Sequence, residues 1–218
     1  MSTIGTKAQI GSNADPSKNV VMETMTDGTL LIRAGSLNTP GTTLATISPN
    51  GVFKSTSTLN FSANVATTSG AFKDLPVPTW AKRVTLLFNF VATNGSSDLI
   101  VQTGGGGVLA TNPIGISSIF TTVTTGVSWG AGIRVRGNGP NASTADYSGR
   151  ISFILIDPIA KVWMIEGQNS LRDGGVQVGS NIQTGSVVLP NGFDQLRITT
   201  TGGTDLLRLG SAIVLAEG

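Results

Sequence analysis

Histidine and cysteine are both missing from this chain of 218 residues, and charge is scarce, with Asp, Glu, Lys and Arg together making up 12%. Without histidine the usual general base, the commonest zinc ligand and every Ser-His-Asp or Cys-His arrangement are gone at once. Without cysteine there are no disulfides and no thiolate metal sites, so stability must come from packing and strand pairing. No stretch approaches about 18 consecutive apolar residues, and residues 1–19 lack the apolar core of a signal peptide. The expectation is a chain made in a cytoplasm, with no membrane insertion.

The shortage of charge limits partners too. A net charge of +2 is small, and the longest basic runs are Lys82-Arg83 and Arg134-Val-Arg136. Binding to nucleic acid needs a concentrated phosphate-facing surface, and these short runs suit the solvent face of a strand better. No nucleic-acid partner is expected.

Glycine (29 residues), serine, threonine and asparagine fill much of the chain. Disordered chains are charge-rich and poor in Val, Ile and Phe, so this uncharged polarity reads as ordered. Short apolar runs alternate with turn signals from Asp27-Gly28 through Thr39-Pro40-Gly41 to Pro49-Asn50-Gly51. Residues 1–26 are polar and irregular except for Val20-Val21-Met22, and read as an arm that needs a partner for order. Strands this short do not bury their own apolar side, so residues 1–55 are expected to be an attachment arm and shaft-like segment stabilised by other chains.

From about residue 56 the strand signals lengthen. In Val84–Val91, Val84, Leu86, Phe88 and Phe90 fall on one face, and Thr85, Leu87, Asn89 and Val91 on the other. Similar runs at 98–102, 119–124, 132–136, 150–156, 161–166, 183–189, 195–200 and 206–215 are separated by turns such as Asn94-Gly95 and Gly174-Gly175. No helical crossover lies between them, which predicts an all-β chain whose residues 56–218 form an antiparallel, jelly-roll-like β-sandwich. The best helical stretch, 160–171, contains Gly167 and β-branched residues and reads as strand followed by loop.

Chemistry is sparse. Two carboxylates suffice for glycoside hydrolysis, but the closest pair among 12 acids, Glu23 and Asp27, lies in the arm rather than in a cleft-forming domain. No Asp-x-Asp-x-Asp-Gly calcium loop occurs. Gly104–Gly107 lacks the following Lys-Ser or Lys-Thr of a phosphate loop and reads as a hairpin tip. Sequons at Asn60, Asn94 and Asn141 are expected by chance in so Asn- and Ser-rich a chain. The expectation is no enzyme, no cofactor, no metal and no catalytic residue.

Aromatics flanked by amides and hydroxyls suit sugar contact. Trp163 sits in an apolar run and reads as core, and Trp80, after two prolines, as a plug at one end of the sandwich. Trp129, between Gly126 and Gly130, and the loop 137–148 with Asn138, Asn141, Asp146 and Tyr147 form the best surface candidate. Trp129, Asn138, Asn141 and Tyr147 are the expected receptor contacts.

The run Thr67–Gln102, with Pro78-Thr-Trp80 entering a strand at Lys82-Arg83, an Asn94-Gly-Ser turn and Ile100-Val-Gln102, resembles a sequence recurrent in bacteriophage tail fibre and tail spike proteins. Asp27–Phe53, ending Ile-Ser-Pro-Asn-Gly-Val-Phe, is similar to their shaft or attachment regions, and the two matches together cover under half the chain. The resemblance implies a homotrimeric virion protein of the tail. Its N-terminal part would dock on tail or baseplate proteins, and its C-terminal β domain would recognise a host surface, commonly a polysaccharide. The chain is short for a complete fibre, which suits a compact tip, a short fibre or an adaptor. A head fibre or decoration protein of the capsid and a two-carboxylate polysaccharide depolymerase are the alternatives.

Overall fold

A computed structural model of the chain describes residues 7–10, 19–35, 40–49, 53–55, 59–109, 113–120, 125–137 and 143–218. The chain is all-β, with antiparallel strand pairing at each register described. It divides after Asn60 into two compact units, close to the expected boundary at residue 55.

The first unit is one sheet of five strands in chain order: β1 (Lys7–Ile10), β2 (Val20–Thr24), β3 (Leu30–Gly35), β4 (Pro40–Ile47) and β5 (Phe53–Ser55). The sequence reading treated residues 1–26 as irregular outside one apolar patch. Instead Lys7–Ile10 pairs in register with Val20–Glu23, because Val20 to Thr24 offers a strand already paired with β3 for the earlier segment to join. Glu23 and Arg33 meet across β2 and β3 at 3.7 Å. Among the described residues of this unit only Val21 and Ala45 are buried apolar side chains. A single sheet with two buried apolar residues has little hydrophobic stabilisation of its own, roughly 1.5–3 kcal/mol for each fully buried aliphatic side chain.

The second unit is a two-sheet sandwich. Its strands are β6 (Leu59–Phe61), β7 (Val65–Ala66), β8 (Phe72–Pro76), β9 (Arg83–Thr93), β10 (Leu99–Gly105), β11 (Val108–Leu109), β12 (Ile114–Phe120), β13 (Thr125–Ser128), β14 (Ile133–Arg134), β15 (Ala145–Asp157), β16 (Val162–Asp173), β17 (Val176–Val188), β18 (Gln195–Thr200) and β19 (Leu207–Glu217). The large sheet runs β13-β12-β17-β16-β15-β9-β19-β6, with β7 also on β19. The small sheet runs β11-β10-β18-β8, with β14 also on β10. The chain therefore changes sheet eight times, between β7 and β8, β8 and β9, β9 and β10, β11 and β12, β13 and β14, β14 and β15, β17 and β18, and β18 and β19. In this crossing pattern β8, β9 and β10 pair with the far later β18 and β19, so the sandwich is tied together by antiparallel pairs distant in sequence.

Alternation explains the core. Leu75 of β8, Val84 and Leu86 of β9, Val101 of β10, Ile151 and Phe153 of β15, Ile165 of β16, Leu196 and Ile198 of β18 and Val214 of β19 belong to one buried cluster between the sheets. Phe193 stands edge-on to Trp163 and Phe153, with ring centroids 4.9 and 5.2 Å away, a geometry that adds to the burial of three aromatic rings. Trp163 is core, as its apolar run implied, and Trp80 packs half-buried against the same cluster.

Two details depart from simple alternation. Phe90 takes a positive φ of 53° within β9, and the register to β15 slips between Tyr147 and Gly149. This bulge reverses the facing of the last residues: Val91 is buried and Phe90 is 41% exposed, where strict period two had put Phe90 inside. The second is the 160–171 stretch, expected to leave the sheet after residue 166. Strand β16 instead continues to Asp173 and turns through Gly174 and Gly175, with φ of 57° and 85°, into β17. Two consecutive positive φ values are those of a type I′ hairpin turn, and only glycine takes both without strain.

Candidate functional site

The expected receptor contacts do not assemble on the surface. Trp129 is buried, with its Nε1–H donating to Ser117 Oγ at 2.7 Å. Its ring lies over Gly115 and Gly185, which are cross-strand partners in β12 and β17. A Cβ on either glycine would stand 2.4 or 2.5 Å from the indole. The missing side chains of Gly115 and Gly185 are what make room for the ring.

Tyr147 is equally misplaced by the sequence reading. Loop 137–148 was expected to carry it, but β15 begins at Ala145, and alternation turns Tyr147 inward at 1% exposure. Burial pushes its phenol up to about 12, opposed by Arg136. Asn138 and Asn141 lie outside the described residues.

Asp146, next to it, faces the other way. Its carboxylate accepts two bonds from Arg172 Nε and Nη2 at 2.9 and 3.1 Å, and the guanidinium covers the exposed Phe90 ring at 4.1 Å. The pairing raises the pKa of Arg172 further. The same three-layer stack recurs on the small sheet, where Arg197 pairs with Asp74 at 2.6 and 2.8 Å and lies 4.0 Å over Phe72. There the bond from Arg197 holds the Asp74 carboxyl below the usual range. In both places guanidinium, carboxylate and ring satisfy one another, which leaves a solvated, saturated surface.

A buried polar seam, which sequence reasoning missed, holds residues 129–137 against the inner face of the large sheet. Asn169 Nδ2 and Gln183 Nε2 both donate to the Val135 carbonyl, at 2.9 and 2.7 Å. Asn181 Nδ2 donates to Asn169 Oδ1 at 2.9 Å, and Asn181 Oδ1 accepts the Gly137 N–H at 3.0 Å. Ser117 Oγ, having accepted from Trp129, donates to the Arg134 carbonyl. The signal available in the sequence was the placement of Asn169, Asn181 and Gln183 at inward positions of their strands, which an amphipathic count discards as polar.

The large sheet's outer face is different. Its outward positions carry Ile114, Ile116, Met164, Ile182, Val188 and Phe120, all exposed between 37% and 78%. Register aligns them in rows: Ile114, Ser186, Met164 and Ile154 in one, Ile116, Thr184, Glu166 and Ser152 in the next, Ser118, Ile182, Gln168 and Arg150 in a third. Small residues in mid-sheet leave two shallow hollows of about 340 and 360 Å³, sharing Arg150 and Gln168. Hydroxyls of Ser152, Thr184, Ser170 and Ser180 line them.

The two acids nearest in sequence are each engaged locally. Glu23 faces Arg33, and Asp27 accepts the Thr29 N–H at 2.9 Å in a local turn that lowers its pKa. Among the described residues no three acids converge as a metal-holding group.

The end of the sandwich farthest from where β6 enters is built from loops 94–98 and 201–206. They are clipped together by Ser97 N–H to Asp205 Oδ2 and Leu206 N–H to Asn94 Oδ1, both 2.8 Å. The β16–β17 turn lies at this end, with Val176 and Val178 exposed. No family model matches the chain, and no curated protein matches it either.

Proposed function

We propose that the chain is a structural, receptor-binding component of a bacteriophage tail fibre, working as a homo-oligomer. Its first unit joins other chains of the tail, and its sandwich meets the host surface, commonly a polysaccharide. The observation that carries this reading is the contrast between the units: a five-stranded single sheet with two buried apolar residues among those described, followed by a sandwich with a continuous core. A segment with so little interior of its own gains order by packing on other chains. A self-sufficient domain beyond it can project.

The clipped loop end of the sandwich supports the second half of the reading. Loops held by a rigid sheet scaffold are where recognition residues concentrate. Asn94 and Asp205 fix two of those loops through hydrogen bonds to main-chain N–H groups, while 201–204 stay in solvent.

Imaging of intact particles with antibody against the sandwich tests this. Label at the tail tip or baseplate is expected. Label spread over the head would replace the reading by a capsid decoration protein, and release of reducing ends from host polysaccharide would replace it by a depolymerase.

A further inference from the structure

We infer that the outer face of the nine-stranded sheet is the surface on which copies of this chain associate. The inference rests on the homo-oligomeric reading above and assigns it a place.

The two outer faces of the sandwich differ in how they satisfy charge. On the small sheet Asp74 and Arg197 close on each other, and Asp98 and Arg134 do the same beside them. Such a face is complete in water. On the large sheet Arg83 and Glu217 pair at 3.5 Å near one edge, but Arg150 and Glu166, in mid-face, make no ion pair or hydrogen bond through their side chains among the described residues. Arg150 stands opposite Gln168 and Glu166 opposite Ser152, so the two are diagonal neighbours that do not close on each other.

One unpaired cation and one unpaired anion, set among Ile116, Ile182, Met164 and Thr184, give a face of zero net charge that is complementary to itself. A partner of strong charge of either sign would leave one of the two groups opposed. A second copy opposes neither: where the same face of two copies meets about a two-fold axis, Arg150 of each stands against Glu166 of the other.

Size agrees. Strands β12, β17, β16, β15 and β9 at about 4.8 Å spacing, over six residues rising about 3.3 Å each, span a plan area of about 500 Å². With side-chain relief added, that approaches the roughly 800 Å² of accessible surface that each partner contributes to a standard interface. Within it Ile114, Ile116, Met164 and Ile182 are 37–78% exposed on the isolated chain.

The test is sedimentation equilibrium of the full chain at micromolar concentration, with near-ultraviolet circular dichroism confirming each variant's fold. Wild type is expected to be an oligomer, Ile116→Glu with Ile182→Glu to dissociate to monomer, and Arg150→Glu alone to associate about tenfold or more weakly. Arg150→Glu combined with Glu166→Arg is expected to recover association, which a merely misfolded variant does not do. Oligomers unchanged in every variant, or weakened by Arg150→Glu without recovery in the double variant, overturn the assignment of the face while leaving the oligomeric reading intact. A monomeric wild type overturns both, and polysaccharide binding to that monomer that Arg150→Glu abolishes would give the face to a glycan instead.

Discussion

Trp129 and Ser117 are joined by a 2.7 Å hydrogen bond inside the sandwich, and the same hydroxyl passes on to the Arg134 carbonyl, so one serine ties an indole to a covering strand. Removing the hydroxyl strands a buried indole N–H, and Ser117→Ala is expected to lose about 1–3 kcal/mol. Trp129→Ala, which empties the platform above Gly115 and Gly185, is expected to lose about 3–5 kcal/mol. Urea unfolding followed by circular dichroism measures both, and a change within error for either removes the assigned role.

Asn181 sits at the centre of the polar seam, bonded at once to Asn169 and to the Gly137 N–H. Replacing it by leucine leaves two buried groups without partners and is expected to destabilise by about 2–4 kcal/mol. In wild type the Gly137 amide should be among the slowest to exchange with deuterium. In Asn181→Leu that protection should fall more than the unfolding free energy alone accounts for.

Tyr147 is the chain's single tyrosine, so its titration can be followed by ultraviolet difference absorbance without assignment. Burial raises its phenol to about 12 in the fold, against about 10 in an unfolded chain. The folded state holds the proton more tightly, so its contribution to stability is full below pH about 10 and is lost as pH rises through the folded value. Little tyrosinate should form in the native protein at pH about 10.5, and unfolding at that pH should release it. Half-ionisation of the native protein near pH 10 would contradict the burial.

Asp74 shifts the other way, held below the usual carboxylate range first by its bond from Arg197. The pair stabilises the fold above the ordinary carboxylate value and stops doing so as pH falls through the depressed one. Its carboxylate side is 38% exposed, so solvent screens the pair, and Asp74→Asn should cost under about 1 kcal/mol at neutral pH. A thermal melt of Asp74→Asn more than a few degrees below wild type would show that the Phe72–Arg197–Asp74 stack matters more than an exposed ion pair.

The two units should separate experimentally. A chain of residues 59–218 keeps β6 and the whole core and should unfold cooperatively, whereas residues 1–60 alone should show no cooperative transition. A sharp melt from the isolated N-terminal piece would mean that it supports itself.

Much of the second unit was legible because its strands carry period-two alternation strong enough to survive in isolation. The 195–200 run is β18 residue for residue, and Val84–Val91 lies within β9. What the sequence hid was decided by cross-strand neighbours. Phe90 and Val91 exchange faces through a bulge that the alternating letters do not signal. Gly167 and Asn169 read as loop because a glycine and an amide are poor strand formers, yet in β16 Asn169 bonds the Val135 carbonyl and a Cβ on Gly167 would stand 2.6 Å from Gln183 Oε1. Trp129 and Tyr147 were read from polar and glycine neighbours along the chain, when their surroundings are set by residues at other positions entirely. The apolar outer face was hidden for a related reason, since Ile114, Met164 and Ile182 come together only through register.

The last strand, β19, lies between β9 and the two short strands β6 and β7 that open the sandwich. During synthesis β9 therefore waits with one edge unpaired until residues 207–217 have cleared the ribosome, and the large sheet cannot close before then. Premature termination anywhere before Leu207 yields a product with a long unpaired edge at Val84–Thr93. Such truncated chains should accumulate as aggregates rather than as a smaller folded protein.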